Sequence, residues 1–534
     1  IYEIVRLDKE EGKEWDVAYN NEYESHMLNG SWSAIPIRTK DSEILKKTVQ
    51  MQVLCTEKRA KNGKRPKKVR YVLRGDKQHP STYADTFSPT LSYDTLRMLL
   101  ADAVESNRFI ILIDIKTAYL NAPIDTEIYV ELPRSMEKKP SDLKPGERVV
   151  HRLQRAVYGL KQSGRQWYET LRSWLLKIGF EERGDVPCVL IKTDSKTGEV
   201  LLIIAFFVDD MIITGKDQKT AEEFVELIRT EYKLKQTEVD NSGFRDILGI
   251  KLREKRDKRT GVLEHIDLSL SSYIKTMIED MGLTKEFKGT RQIKTPLEPG
   301  FQFDPSTATP HQLTGSELAH QITWCREVVG ALQYIAAALR PDLAYAANYM
   351  SRFVLTPHPV IIEQLKRILR YTYHTRGYMI RYSKMKSDKG AVNDRLITYS
   401  DADHAGDIST RKSTLAAIFM MNDGPIAWYA RVARFAATSS TDAEVAAMVE
   451  AGNNLAYYRE VMTFFRIIGP EYSKKSQMMQ REITQTGGDK RLIPLITYVD
   501  NTSAIILARK VRPVAVRNMW VYVLRGHTTS SRMK

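Results

Sequence analysis

Two adjacent carboxylates, Asp209 and Asp210, interrupt an apolar stretch of the sequence. They follow the apolar run 200–208 and precede Met211-Ile212-Ile213. Removing two neighbouring carboxylates from water is costly unless they are protonated or bind a cation, and a divalent metal is the natural candidate. A tight turn between two strands would present both acids at one point. The alternative is that aspartate is simply a common turn former.

A third acid, Asp114, lies in a second strand-like run, 110–115, and Tyr119 follows shortly after it. One aspartate from each of two neighbouring strands would supply the oxygen ligands that Mg²⁺ prefers. Asp114, Asp209 and Asp210 therefore predict a phosphoryl-transfer site.

Two cations, Lys68 and Arg70, lie in the strand-like segment 68–76. Alternation along a strand points both side chains to one face, although a generic basic strand would look the same. The segment 58–68 is dense in lysine and arginine around a glycine and a proline, which predicts an exposed loop between two strands.

The composition narrows the class of protein. A chain of 534 residues, 42 % of them hydrophobic, is long enough for several domains with ordinary cores. The net charge of +15 favours a nucleic-acid partner over a membrane, although many basic proteins bind no nucleic acid. Cys55, Cys188 and Cys325 have no paired spacing, which argues against a disulfide framework or a zinc site. The first residue is Ile1, so we expect a piece of a longer translation product.

Helical spacing is present at 268–281 and 322–340, and again from Pro359. The helix from Pro359 carries Lys366, Arg367 and Arg370 on one stripe. These cations would either track a phosphate backbone or form an ordinary solvated face. The polar segment 384–393 is a predicted linker.

The motifs, taken in order, resemble the reverse transcriptase and RNase H segment of a copia-type LTR retrotransposon polyprotein. The motifs run from Trp15-Asp16-Val17-Ala18, with Glu22 and Trp32, through those of Asp114 and Asp209-Asp210 to Tyr498-Val499-Asp500-Asn501. The resemblance implies an α/β (α+β) fold, with right-hand polymerase fingers, palm and thumb plus a connection, followed by an RNase H-like α/β domain. The implied bounds are 1–255 for fingers and palm, 256–388 for thumb and connection, and 389–534 for the RNase H-like domain.

The resemblance also assigns roles in polymerisation. It implies that Asp114, Asp209 and Asp210 hold two Mg²⁺ ions for nucleotidyl transfer. Tyr119 would stack beneath the sugar of the nucleotide and block a 2′ hydroxyl. The alternative is that Tyr119 is an ordinary tyrosine of the protein core. Further implied substrate contacts are Lys68 and Arg70 at the triphosphate, and Gly159, Lys161 and Gln162 beneath template and incoming base. The alternative for Gly159 is a turn before a helix that starts at Arg165.

For the carboxy-terminal domain the resemblance implies the metal ligands Asp401, Glu444 and Asp500. Asp403 would face the same side of its strand as Asp401, so a register error would exchange them. Glu444 has a structural alternative in a capping box with Thr441, and Asp500 has one as a helix N-cap.

A fourth carboxylate is missing from this domain. The chain reads Met519-Trp520-Val521-Tyr522 where the family has Lys-His-Ile-Asp, and no Asp or Glu follows Asp500. His404 and Val445 also stand where the family typically has Trp and Tyr. His527 could replace the fourth carboxylate as a metal ligand, but only its location suggests this. We therefore expect a second metal ion to bind weakly and RNase H activity to be weak or absent, while hybrid binding persists.

The leading hypothesis is an RNA- and DNA-directed DNA polymerase that copies retrotransposon RNA into cDNA. Implied partners are the RNA template, DNA primer and cDNA, RNA–DNA hybrid, a tRNA primer, dNTPs and the integrase of the same polyprotein, with no membrane. The expected location is cytoplasmic virus-like particles, or the nucleus. The alternatives are a catalytically decayed or recruited nucleic-acid-binding relic, and a nuclease alone.

Overall fold

The computed structural model describes residues 9–57, 66–133, 136, 140–306, 315–384, 396–466, 495–499 and 521–525. Contacts between Cα atoms divide the chain into two units that interleave along the sequence. The first unit comprises Ile1–Leu91, Ile111–Ile213 and Lys219–Gln236, and the second comprises Ser92–Ile110, Thr214–Gln218 and Thr237–Lys534. The three-part division at 255 and 388 stays a prediction.

The α-helices of the described residues are α1 Lys9–Leu28, α2 Ser42–Lys46, α3 Tyr93–Glu105, α4 Ser163–Lys177, α5 Gln218–Glu231, α6 Ser271–Asp280, α7 Thr284–Phe287, α8 Gly315–Ala338, α9 Ala344–Ser351, α10 Pro359–His374 and α11 Ser440–Phe464. Helices α8 and α10 confirm the helical spacing at 322–340 and from Pro359.

The strands are β1 Ile37–Thr39, β2 Thr48–Glu57, β3 Lys67–Leu73, β4 Phe109–Ile115, β5 Tyr129–Glu131, β6 Arg148–Arg152, β7 Glu181–Glu182, β8 Val189–Thr193, β9 Val200–Phe207, β10 Asp210–Gly215, β11 Leu234–Gln236, β12 Arg245–Ile247, β13 Ile250–Arg256, β14 Leu263–Ser269, β15 Met379–Ser383, β16 Ile397–Asp403, β17 Thr414–Met421, β18 Gly424–Val432, β19 Leu495–Val499 and β20 Val521–Arg525.

Two sheets organise the first unit. One has the strand order β1-β6-β5-β2-β3, and its core includes Trp15 and Trp32 of the amino-terminal motif. The other has the order β11-β4-β10-β9-β8-β7, so the strands that carry Asp114 and Asp210 are neighbours. Residues 110–113 of β4 are all buried, as expected for a strand covered on both faces.

A four-stranded sheet, β12-β13-β14-β15, belongs to the second unit. The predicted helix at 268–281 is wrong at its start, because Leu268 is in β14 and helix α6 begins only at Ser271. Leu268 is paired with Leu252 on one side and Ile380 on the other, so ladder hydrogen bonding and burial override the helical spacing.

The carboxy-terminal part of the second unit is a five-stranded mixed sheet of order β18-β17-β16-β19-β20, with α11 packed on β16 and β17. β16, β17 and β18 are antiparallel, whereas β19 and β20 run parallel to β16. These sheets and helices confirm the α/β (α+β) class. Within the described part of the chain, no helix has the length and apolarity needed to cross a membrane.

Candidate active site

The two acids at the apolar boundary lie at the tip of a hairpin, as their sequence predicts. β9 ends at Phe207 and β10 begins at Asp210, so Val208 and Asp209 form the connection. Val208 has a φ of 56°, a left-handed conformation that is rare for a β-branched residue. Such strain persists only where surrounding contacts enforce it.

Two hydrogen bonds fix this hairpin tip. The indole Nε1 of Trp167, in α4, donates to the carbonyl oxygen of Val208 at 2.6 Å. The backbone amide of Ile115 donates to the carbonyl oxygen of Asp209 at 2.8 Å. Asp114 precedes Ile115 on β4. The second bond therefore brings Asp114 and the hairpin acids to the same end of two neighbouring strands. No pattern in the sequence predicts that Trp167 anchors the tip.

Asp114 and Asp209 each interact with a neighbouring side chain, Lys116 and Tyr119 respectively. Lys116 Nζ lies 2.7 Å from Asp114 Oδ1, and both side chains are partly exposed. Burial raises the pKa of Tyr119, and the negative charge of Asp209 raises it further. Lys116 and Asp114 thus form a partly exposed ion pair.

Asp114, Asp209 and Asp210 provide three carboxylates, and carboxylate oxygens are ligands that Mg²⁺ prefers. Within the described residues, no group of three or more His, Cys, Asp or Glu side chains is arranged to hold a metal ion. The acids are therefore neighbours without a closed ligand cluster.

Tyr119 lies beside the hairpin acids in a short 3₁₀ turn, Ala118–Asn121, where it is half-buried. Its ring meets that of Tyr158 edge-on, with 4.9 Å between centroids. Burial raises the pKa of Tyr158 to about 12, so its hydroxyl stays protonated at neutral pH. The guanidinium carbon of Arg70 lies 5.9 Å from the centroid of the Tyr158 ring. An aromatic pair therefore connects Tyr119 with a cation of β3.

Lys68 and Arg70 occupy one face of β3, as alternation predicts. The opposite face is buried and carries Val69, Tyr71 and Leu73. The loop predicted at 58–68 begins after β2 and ends in β3, which pair as an antiparallel hairpin, and its residues 58–65 lie outside the described part.

Gly159 is required by a close approach of two backbones. Its φ is 94°, and an added Cβ would lie 2.2 Å from the carbonyl oxygen of Leu73. The amide of Leu73 donates to the carbonyl oxygen of Tyr158 at 2.8 Å. The glycine thus lets this turn pack on β3, which supports the turn alternative. A nucleotide contact at Gly159 stays a prediction.

Gln162 is almost fully buried, with 1 % of its surface exposed. Its amide nitrogen donates to the Thr82 carbonyl oxygen at 2.8 Å, and its amide oxygen accepts from Gln78 at 2.9 Å. Gln78 in turn accepts from the backbone amide of Lys161 at 3.1 Å. Gln162 therefore uses its side chain to hold the turn, and sequence reasoning missed Gln78. A template contact by Gln162 stays a prediction.

Lys161 is exposed, and its ammonium group lies 2.8 Å from the Tyr83 hydroxyl and 4.5 Å from the centre of that ring. The side chain is thus at the surface, where it is accessible to a phosphate. Its predicted substrate role remains untested.

The acids of the carboxy-terminal domain have unlike surroundings. Asp401 and Asp403 are exposed on one face of β16, as predicted, while Thr398 and Ser400 are buried on the other. Glu444 is 6 % exposed and belongs to α11. Asp500 and His527 lie outside the described residues, and 521–525 form the strand β20.

The predicted capping box of Thr441 and Glu444 is wrong. Ser439 is the N-cap of α11, and its Oγ accepts from the amide of Asp442 at 3.1 Å. Asp442 accepts from the amide of Thr438 at 2.9 Å. A serine two residues upstream of Thr441 is therefore the N-cap of the helix.

Sequence comparison agrees with this arrangement. Residues 41–298 match the family described as Reverse transcriptase (RNA-dependent DNA polymerase). The Saccharomyces cerevisiae proteins Transposon Ty1-GR2 Gag-Pol polyprotein and Transposon Ty1-LR2 Gag-Pol polyprotein are each 28 % identical over 458 residues, which is 84 % of this chain and 24 % of each relative. This chain thus spans about a quarter of the length of those relatives.

A solved structure, titled "Structure of the foamy viral protease-reverse transcriptase dRH in complex with ds DNA", is similar with a TM-score of 0.45 and 11 % identity. The similarity covers 96 % of this chain and 69 % of that one.

The acid-bearing hairpin and the family match together define the class: residues 41–298 belong to the reverse transcriptase family. With the Ty1 relatives, the resemblance found in the sequence is confirmed. The chain is similar to the reverse transcriptase segment of copia-type LTR retrotransposon polyproteins.

Proposed function

We propose that this chain copies RNA, and then DNA, into complementary DNA by nucleotidyl transfer at Asp114, Asp209 and Asp210. The observation that carries the proposal is the 2.8 Å backbone bond from Ile115 to Asp209, because it holds acids from distant parts of the chain side by side. The family of residues 41–298 supports the same reaction.

Each residue of the site has a proposed task. The three aspartates would hold Mg²⁺, which when bound promotes loss of the primer 3′ hydroxyl proton and neutralises charge on the transferred phosphate. The bonds from Trp167 and Ile115 keep the hairpin tip in place, so that little reorganisation is needed during reaction.

Two further groups would select the nucleotide. Tyr119 is held by Tyr158 beside Asp209, where its ring would exclude a sugar with a 2′ hydroxyl. Lys68 and Arg70 offer two cations on one strand face for the triphosphate.

The partners would be those of an element copying its own RNA: template RNA, a tRNA primer, cDNA, the RNA–DNA hybrid and dNTPs. The relatives are Gag-Pol polyproteins, so we include integrase from the same precursor and assembly in virus-like particles. RNase H activity is proposed to be weak or absent, because the chain has Met519-Trp520-Val521-Tyr522 where the resembling family has Lys-His-Ile-Asp.

Primer extension on an RNA template tests the polymerase, with the intact chain, with and without Mg²⁺, and with Asp209→Asn. We expect extension only by the unaltered chain with Mg²⁺. Binding of primed template without any incorporation would favour the nucleic-acid-binding relic instead. Cleavage of a labelled RNA strand in an RNA–DNA hybrid tests the nuclease separately. Rapid cleavage would contradict the proposal that RNase H activity is weak or absent.

A further inference from the structure

A charged side chain, Arg97 of α3, is buried inside the second unit with 1 % of its surface exposed. Burial in a medium of low polarity disfavours the charged form and lowers the pKa of this guanidinium. A buried charge is tolerated only where ionic and hydrogen-bonding partners compensate it. The hydrogen-bonding and ionic partners of Arg97 therefore show which elements this side chain joins.

Arg97 receives its partners from three different elements. Its Nε donates to the carbonyl oxygen of Ile426, in β18, at 2.6 Å. Its Nη1 donates to the carbonyl oxygen of Ala337 at 2.8 Å and to that of Ala338, at the end of α8. Its Nη2 pairs with the carboxylate of Asp94, one turn earlier in α3.

These bonds complete the end of α8. The last carbonyl groups of a helix have no partner within it, and the negative end of the helix dipole favours a cation. Trp428 of β18 contributes to the same end, since its Nε1 donates to the carbonyl oxygen of Ala336 at 2.8 Å. The Trp428 ring also lies against the Arg97 guanidinium, 3.9 Å from centroid to carbon.

The carboxy-terminal domain reaches α3 at two more points. The Tyr458 hydroxyl, in α11, donates to Asp94 Oδ2 at 2.8 Å. Asn422, in the turn between β17 and β18, is 2 % exposed and donates from Nδ2 to the carbonyl oxygen of Ala101 at 2.8 Å. Three separate parts of this domain, β18, α11 and the β17–β18 turn, therefore bond to one buried helix.

Helix α3 leads directly to the strand of Asp114. Only residues 106–108 separate its end from β4. Arg108 in this connection donates to the carbonyl oxygen of Thr214 at 3.1 Å, near the end of β10. The far ends of the two acid-bearing strands are thus tied to each other immediately after α3.

We propose that the carboxy-terminal domain has a function besides RNA cleavage: through Arg97, Trp428, Tyr458 and Asn422 it is a permanent support that holds α3 in place. Arg97 is the central positioning residue of this support. The support uses none of the candidate nuclease acids Asp401, Glu444 and Asp500. A chain with a decayed nuclease site would still require the domain for an ordered α3.

Hydrogen exchange of the intact chain, followed by mass spectrometry of its peptides, tests the support. Arg97→Lys keeps a positive charge but loses the planar fork that reaches β18, α8 and Asp94 together. We expect amide exchange to become about tenfold faster in α3 and in β18 alike, because both lose the same anchor.

Arg340→Lys is the matched control, because Arg340 is also buried, at 2 % exposure. Its side chain bonds to Asp342 and to Thr375, with no bond among these to α3 or β18. Exchange should rise near α10 and stay unchanged in α3 and β18. Faster exchange in β18 with unchanged protection of α3 after Arg97→Lys would overturn the proposal.

Tyr458→Phe provides a milder test if Arg97→Lys does not fold. It removes one hydrogen bond to Asp94 and keeps the ring beside Phe419. We expect a smaller rise of exchange in α3, in the same direction. Unchanged exchange in α3 with this variant would contradict a role for α11 in the support.

A second arm measures primer extension and rests on the proposed polymerase function. Tyr458→Phe should lower kcat with the KM for dNTP unchanged, since none of the residues proposed to bind the nucleotide lies in α3. If the unaltered chain extends no primer, the proposed function fails, while the exchange experiment still decides on the support.

Discussion

In the first unit, a backbone hydrogen bond joins Ile115, the residue after Asp114, to Asp209 at the hairpin tip. In the carboxy-terminal domain, Asp401 is exposed on a strand and Glu444 is buried in a helix. The hairpin acids are fixed by main-chain geometry, which tolerates changes in distant sequence. The second set depends on side chains from segments that must be assembled separately. A site of this kind would lose its function more easily when one of its segments diverges.

The largest effect should come from the hairpin tip. Asp209→Asn keeps the shape of the side chain and removes its charge, so we expect primer extension to fall by about three orders of magnitude, or ~4 kcal/mol of activation free energy. Asp257→Asn, at another hairpin turn, is the control. Extension by Asp209→Asn within tenfold of the unaltered chain would remove the basis of the comparison.

Tyr119→Val should change selectivity more than rate. Loss of the ring opens the space beneath the sugar, so we expect ribonucleotide incorporation to rise about 10- to 100-fold relative to deoxynucleotide incorporation, the range of shape-based discrimination. The measurement is kcat/KM for matched dNTP and rNTP pairs. Tyr158→Phe keeps the ring that packs on Tyr119 and should leave the ratio unchanged. An unaltered ratio in Tyr119→Val would assign Tyr119 to the core alone.

Trp167→Phe tests how the tip is held. It retains an aromatic ring but leaves the Val208 carbonyl oxygen without the indole donor, at a cost of about 1–3 kcal/mol. We expect roughly tenfold slower extension and a lower melting temperature. Trp174→Phe, in the same helix and packed against Tyr232, should lower stability without the same loss of rate. Equal rates in both variants would show that the indole bond is dispensable.

The smallest effect is expected from the second set of acids. Asp401→Asn should alter primer extension by less than about twofold, because Asp401 is not one of the four residues proposed to support α3. Cutting of the RNA strand in a hybrid should be weak before and after this substitution. If the unaltered chain cuts the RNA strand rapidly and Asp401→Asn abolishes this cutting, the carboxy-terminal site is active. The contrast with the hairpin acids would then be wrong.

The sequence predicted features that depend on local pattern. The hairpin at Asp209, the strand before Asp114 and the single face of Lys68 and Arg70 all follow from short-range alternation and apolar runs. The helix α10 follows from a regular apolar stripe, and Ile361, Leu365, Ile368 and Leu369 are buried as its spacing requires. Its Arg367 donates to Thr295 Oγ1 at 3.2 Å, and phosphate tracking by this stripe stays a prediction.

Features that depend on distant partners could not be read from the sequence. Gln162 is buried because it meets Thr82 and Gln78, which are 80 and 84 positions away in the chain. The strand at Leu268 exists because β13 and β15 pair with it on both sides. The helix cap at Ser439 was misassigned because three successive hydroxyl residues, Ser439-Ser440-Thr441, offer competing starts.

The partners of Arg97 have a consequence for the order of folding. Ile426 accepts from Arg97 across 329 positions of sequence. During synthesis from the amino terminus, α3 emerges long before β18 exists, so its guanidinium must stay hydrated or find temporary neighbours until the ribosome has passed residue 426. The native surroundings of α3 therefore cannot be complete until the chain has been translated through β18.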